Sequence, residues 1–402
     1  MNKQIHGIFS ITTIACFLAA LGVLSRELYI PLLPQMTASL PGNHFFSTSM
    51  IAATLFGMGV SQFFYGPISD AIGRRHTLIF GLTMLALASF LSALVKSSFS
   101  LWLMQIFCGM GAGACVVISR AILRDKLTGN DLTKAIAYQS MAATIPPFLG
   151  PLTGALLLDC FGWRSGFIFS MIISLLMITI IFLHLKETNQ NIQRSLLNIK
   201  EIVKSYFLIL HNPYFMSNVL LISFSFLPLV IYSTMSPFVF QNELHVSAKC
   251  NAIYYGITTL GYFLGSLITN RLCYKVRTNL LIKISLFLSF FGALLLFMLV
   301  LMATQNSPSI TIFVFFIFIG CGILTPVMSK QCIEPFPHLA GISAALVYSF
   351  HMVLPALVIA LLMAIGYKNL LAMSFYIMIT TTMTVLLFFW FMKKLPEFKG
   401  QH

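Results

Sequence analysis

The chain is built of long unbroken apolar runs separated by short polar turns, and nowhere do hydrophobic and polar residues alternate as the strands of a membrane barrel require. Apolar runs occupy residues 8–33, 48–68, 77–95, 101–123, 135–158 and 166–185, and a second set occupies 214–238, 253–272, 280–302, 310–328, 341–365 and 370–392. A helix of about 20 residues spans the hydrocarbon core of a bilayer, so each run predicts one crossing. The longest polar stretch, 186–212, carries Lys186, Arg194, Lys200 and Lys204 and divides the chain into an N-terminal bundle over 1–185 and a C-terminal bundle over 213–402. The predicted fold is all-α and integral to the membrane, with twelve transmembrane helices in two pseudo-symmetric six-helix bundles.

Composition agrees. Of the 402 residues 58% are hydrophobic and 8% charged, whereas a soluble domain carries about a quarter charged residues. A soluble enzyme and a nucleic-acid-binding domain are thereby excluded, because the net charge of +14 is scattered between apolar runs instead of gathered into a stripe. Lys3, Arg74, Arg75, Arg124, Lys126, Lys134, the basic residues of 186–212, Arg271, Lys275, Arg277, Lys283, Lys330, Lys393, Lys394 and Lys399 fall on one side; Lys96, Arg164, Lys249 and Lys368 fall on the other. Positive charge is retained inside, which predicts two cytoplasmic termini. A signal peptide at 8–33 is disfavoured by the lack of a small-residue cleavage site and by Arg26 and Glu27. The eight cysteines form no CxxC pair and join no His cluster, so no metal site is expected.

Among the ten acids, Glu27 alone falls within the apolar part of a run. A carboxylate inside the membrane costs several kcal/mol unless it is paired or protonated, which suits it to proton exchange. Arg26 and Arg120 are the intramembrane cations. Neighbours on a helix point about 100° apart, so Arg26 is not expected to share a face with Glu27. Two cations against one acid favour a neutral to anionic substrate, unless both arginines snorkel to opposite interfaces. His351, midway along its run, either titrates or hydrogen-bonds between helices.

The turn Gly66-Pro-Ile-Ser-Asp70-Ala-Ile-Gly73-Arg74-Arg75-His76 places two glycines, an acid able to accept at a helix N-terminus, and two arginines between consecutive crossings. It resembles the G-x-x-x-D-x-x-G-R-R signature loop of the major facilitator superfamily. Gly265-Ser-Leu-Ile-Thr-Asn-Arg271 stands 199 residues after Gly66, as an internal duplication requires. In the fifth run, Gly150, Pro151 and Gly154 read as a bend with a flat packing seam, and they resemble the antiporter motif of drug:proton antiporters. With Glu27-Leu-Tyr-Ile-Pro-Leu-Leu-Pro34, Gly111-Ala-Gly-Ala114, Ser236-Pro-Phe-Val-Phe-Gln241 and Pro335-Phe-Pro-His-Leu-Ala-Gly341, the whole chain is similar to the bicyclomycin/chloramphenicol-resistance (Bcr/CflA) subfamily.

That resemblance implies a monomeric carrier in a bacterial inner membrane that exports small molecules in exchange for protons, with lipid its surroundings and no cofactor. It implies Glu27 as the proton site and Asp70 with Arg74 or Arg75 as a gating clamp. It also implies a cavity to which Arg26, Tyr29, Gln105, Arg120, Tyr232, Phe238, Tyr255 and His351 are assigned. Gln105 departs from the subfamily, whose members commonly carry an Arg early in the fourth crossing. A primary pump is excluded by the lack of a G-x-x-x-x-G-K-[ST] loop, and a membrane enzyme by sparse, short loops. A channel is disfavoured by the duplicated layout, which leaves proton-coupled import as the nearest alternative.

Overall fold

The computed structural model describes residues 2–189, 199–272, 275–302 and 306–394, and among them every regular element is helical. The chain divides into two compact units, Met1–Val203 and Lys204–His402. The first contains α1 (Asn2–Glu27), a 3₁₀ turn (Ile30–Leu32), α2 (Leu33–Ser39), α3 (His44–Thr48), α4 (Met50–Ile72), α5 (Arg74–Leu94), α6 (Ser98–Lys126), α7 (Gly129–Thr144), α8 (Pro146–Phe161) and α9 (Arg164–His184). Helix α10 (Ile199–Leu210) straddles the division, and Arg194 lies outside the described residues. The second unit contains α11 (Pro213–Phe238), a π turn (Val239–Glu243), α12 (Ala248–Leu272), α13 (Thr278–Leu301), α14 (Ser307–Ile333), α15 (Ala340–Ile365) and α16 (Leu370–Lys394).

Among the described residues eleven helical segments are long and apolar enough to cross a membrane. The twelfth expected crossing, 253–272, is α12, whose 25 residues give about 37 Å of helix. Its hydropathy is reduced by residues such as Asn251, Thr258, Thr259 and Thr269, all buried inside the protein instead of facing lipid. Within each unit the second crossing packs on the fourth through glycines. An added Cβ at Gly57 would stand 2.0 Å from the Ile106 carbonyl oxygen, and one at Gly265 would stand 2.2 Å from that of Ile319. Lipid supplies no hydrophobic force between helices, so such close backbone approach is what holds the bundle. Gly66 does not share this role: it lies inside α4 and a Cβ there would meet nothing within 4 Å, so the turn belongs to Gly73 alone.

Two expected crossings are broken. In the first, Leu28 N–H still donates to the Leu24 carbonyl (3.1 Å), but Pro31 has no N–H for the Glu27 carbonyl, and the chain tightens so that Leu32 N–H donates to Tyr29 (3.0 Å). The run predicted as continuous over 8–33 therefore ends its α-helix at Glu27 and continues to Ser39. In the fifth, Pro146 and Pro147 separate α7 from α8. The bend expected at Pro151 lies one turn earlier, and Pro151 is accommodated within α8.

Candidate functional site

The break in α1 brings the first group of predicted residues together. Glu27 closes α1 and its side chain is fully buried. Arg26 Nε donates to Glu27 Oε1 at 3.0 Å, and a second guanidinium nitrogen reaches the same oxygen. This corrects the expectation that neighbouring side chains cannot meet. The 100° rule describes side chains leaving a continuing helix, whereas here the helix ends and two long side chains curl toward one point.

Helix α8 lies directly on this break. An added Cβ at Gly150 would stand 2.8 Å from Glu27 Cβ; at Gly154 it would stand 1.9 Å from the Leu28 carbonyl oxygen and 3.2 Å from Pro31 Cγ. The seam glycines Gly150 and Gly154 thus face the segment that holds Glu27. On another side the Tyr29 hydroxyl hydrogen-bonds Thr54 Oγ1. Thr54 Oγ1 donates toward Gln105 Oε1 at 3.4 Å, and Gln105 Nε2 donates to Ser92 Oγ at 3.3 Å. These residues are all buried, so Tyr29 and Gln105 tie the broken segment to α4, α6 and α5. Assigned to a cavity by sequence, Gln105 is spent on hydrogen bonds inside the unit.

A second cluster surrounds the signature turn. Gly73 has φ +108°, a conformation L side chains rarely adopt, and the turn is followed at once by α5. Arg74 meets Asp70 at 2.5 Å, donates through Nε to Asp125 Oδ2 at 3.0 Å and donates to Ser69 Oγ at 2.6 Å. Arg75 does not join it: its guanidinium donates to the Phe182 carbonyl at 2.8 Å and lies 5.3 Å from the centre of the Phe182 ring. Asp70 sits in the last turn of α4, not at a helix N-terminus. The N-terminus of α5 is held by Glu187, whose carboxylate accepts from the backbone N–H of Arg74 (2.9 Å) and of Arg75 (3.1 Å). A carboxylate at this end of a helix is favoured by the helix dipole. Thr188 Oγ1 donates to Asp125 Oδ2 at 3.1 Å, and Asn189 Nδ2 donates to the Asp70 carbonyl at 2.9 Å. The segment after α9 is therefore part of the signature turn's structure. Sequence reasoning missed Asp125, Glu187 and Thr188; the signals available were Asp125 beside Arg124 and an acid directly after an apolar run.

The remaining candidates are dispersed. Tyr232 and Tyr255 are fully buried and stacked on each other (6.0 Å, 3°), with Phe240 and Phe318 edge-on to Tyr232. Phe238 is buried and faces the Lys368 ammonium at 5.7 Å; burial pushes that amine below the usual lysine range. His351 is buried with its ring 4.3 Å from that of Phe226, and Arg120 is half-buried on α6. Cys160 and Cys250 are exposed thiols. Among the described residues no cluster of His, Cys, Asp or Glu could hold a metal ion.

Comparison with known proteins adds the relatives. The Multidrug resistance protein D of Escherichia coli (strain K12) is 27% identical over 331 residues, 82% of each chain. The Bicyclomycin resistance protein homolog of Haemophilus influenzae (strain ATCC 51907 / DSM 11121 / KW20 / Rd) is 21% identical over 390 residues, 96% of this chain and 98% of its own. The partially occluded, inward-open xylose transporter XylE from E. coli superposes with a TM-score of 0.77 at 16% identity, covering 98% of this chain and 99% of the other, a likeness of fold alone. The family model of the Major Facilitator Superfamily matches residues 15–359. With its all-helical fold, its membrane-crossing segments and its signature turn, the chain belongs to the Major Facilitator Superfamily.

Proposed function

We propose that this protein exports small molecules, drugs among them, in exchange for protons by alternating access, and that Glu27 is the group that carries the proton. The observation that supports this most directly is the fully buried Glu27 carboxylate at the end of α1, held by Arg26 and packed against the antiporter-motif glycines of α8. A buried carboxylate must be paired or protonated, and here it has a partner for one state and a proton for the other. Exchange between the states moves the charge that Arg26 feels, and the seam at Gly150 and Gly154 lies where that change is transmitted to α8.

The names of the relatives, multidrug resistance and bicyclomycin resistance, support export. The distribution of Lys and Arg supports two cytoplasmic termini in a bacterial inner membrane. A monomer with no cofactor is consistent with this reading. The bundles over 1–185 and 213–402, joined by 186–212, are the two moving bodies. The network of Asp70, Arg74, Asp125 and Glu187 is the gating element of the first, since it ties α4, α5, α6 and the segment after α9 into one assembly.

Direction is tested in everted membrane vesicles energised to an acid interior, with chloramphenicol as the probe. Export by antiport predicts accumulation of the drug inside these vesicles and a rise of interior pH on drug addition. Loss of drug from the interior together with protons contradicts it and establishes symport.

A further inference from the structure

Helix α10 neither crosses the membrane nor buries its whole circumference in the protein. Its 12 residues give about 18 Å of helix, too short for a hydrocarbon core of about 30 Å. The chain arrives from α9, which ends at His184, and departs into α11, which begins at Pro213, so α10 lies at the membrane face that these two crossings share. Its side chains sort by register. Ile209 is buried, and Ser205, Tyr206 and Leu210 are half-buried, which defines the inward face. Positions 203, 204, 207 and 208, with 211 in the turn that follows, form the stripe on the other side. All five are exposed: Val203 (55%), Phe207 (62%), Leu208 (57%), Lys204 and His211. Helix α3, also outside the crossings, exposes no large apolar side chain.

The stripe is apolar and basic at once. Among the described residues Lys204 forms no ion pair. The His211 ring lies on that of Phe207, with centres 3.6 Å apart, and its Nδ1 is 2.9 Å from the Phe207 carbonyl oxygen, which fixes this end of the stripe. Residues 186–212 carry Lys186, Arg194, Lys200 and Lys204 against Glu187 and Glu201, and Glu187 is committed to the N-terminus of α5. Phe, Leu and Val interleaved with a cation suit the boundary between headgroups and acyl chains, where the rings and branched chains sink and an ammonium reaches up to phosphate.

We infer that α10 is a docking surface for anionic phospholipid: it lies along the membrane plane with Val203, Phe207 and Leu208 at the acyl boundary and Lys204 at the phosphates. The excess of basic residues selects acidic over zwitterionic headgroups. The flanking crossings place a bilayer beside this stripe, which favours lipid over a protein partner. By the distribution of Lys and Arg the leaflet concerned is the cytoplasmic one, but the match of stripe to headgroup does not depend on that assignment. Only His211 and Asn212 separate α10 from α11, and the Asn212 side chain accepts from the Phe215 N–H at 3.0 Å. A lipid-held α10 therefore also fixes where the first crossing of the second unit enters the membrane.

The test uses the purified full-length protein in nanodiscs, which present the same lipid on both faces. Phe207→Cys, in a chain with Cys160→Ser and Cys250→Ser, carries a fluorescent label; Leu208→Cys is a second labelled position, and the chain without either added cysteine supplies the background. Quenching by aqueous acrylamide is compared with quenching by a lipid that bears a nitroxide near its headgroup, in phosphatidylcholine alone and with phosphatidylglycerol added. The expected result is that phosphatidylglycerol shelters both labels from acrylamide and exposes them to the lipid quencher. Lys204→Gln should weaken this preference about fivefold, the worth of one charge near an anionic surface, and high salt should weaken it too. Acrylamide quenching that is equal in the two lipids, or lipid quenching indifferent both to phosphatidylglycerol and to Lys204→Gln, overturns the inference. Shelter from both quenchers also overturns it, in favour of a protein contact on this stripe.

Discussion

At the scale of single residues, two glycines that are alike in sequence differ in what they face. A methyl group at Gly154 meets a backbone carbonyl at 1.9 Å, whereas one at Gly150 meets the Glu27 Cβ at 2.8 Å and the movable end of Leu24 at 3.3 Å. Gly154→Ala should therefore cost stability as overpacking does, about 1–3 kcal/mol, read as a lower unfolding temperature in detergent. Gly150→Ala meets a Cβ fixed to the backbone, so it should cost some stability, less than Gly154→Ala, and displace the carboxylate, read as a shifted pH dependence of drug exchange. Equal loss of stability with no change in pH dependence contradicts this. Glu27 was legible in the sequence because a lone acid inside an apolar run needs a reason to be there. Its pairing with Arg26 was not legible, because the spacing rule presumes a helix that continues, and Pro31 ends this one.

At the scale of elements, the entry to α5 depends on Gly73 and on a carboxylate from a distant segment. Gly73→Ala combines a left-handed backbone with a Cβ 2.5 Å from Glu187 Oε2, so it should be destabilising by about 1–3 kcal/mol, measured by thermal unfolding. The two acids on Arg74 should not be equivalent. Asp70 is 42% exposed, and Asp70→Asn should cost about 0–1 kcal/mol. Asp125 is 19% exposed and also holds Thr188, and Asp125→Asn should cost about 1–3 kcal/mol on the same assay. A larger cost at Asp70 contradicts this ordering. The signature turn pointed to Asp70 and Arg74 from its spacing, but the role first given to Asp70, holding a helix N-terminus, belongs to Glu187. Nothing local announces such a partner 113 residues away. Periodicity also located the crossings and missed their breaks, since an apolar run reads the same whether prolines end its helix or are absorbed by it, as Pro146 and Pro151 respectively show.

At the scale of the whole molecule, the twelve apolar runs, the basic loops and the spacing between Gly66 and Gly265 were enough for the architecture, because a bilayer permits few arrangements of such a chain. The aromatic residues proposed for substrate were less legible. Tyr232 and Tyr255 stack inside the second unit, and from sequence a ring that packs a helix seam is indistinguishable from one that meets a ligand. In the proposed mechanism a single buried carboxylate couples proton movement to export. This coupling is tested most directly by drug accumulation in energised everted vesicles bearing Glu27→Gln, beside exchange of labelled for unlabelled drug without a proton gradient. The Glu27→Gln variant should fail to concentrate drug while exchange persists; accumulation of drug with the normal dependence on pH rules Glu27 out as the coupling group.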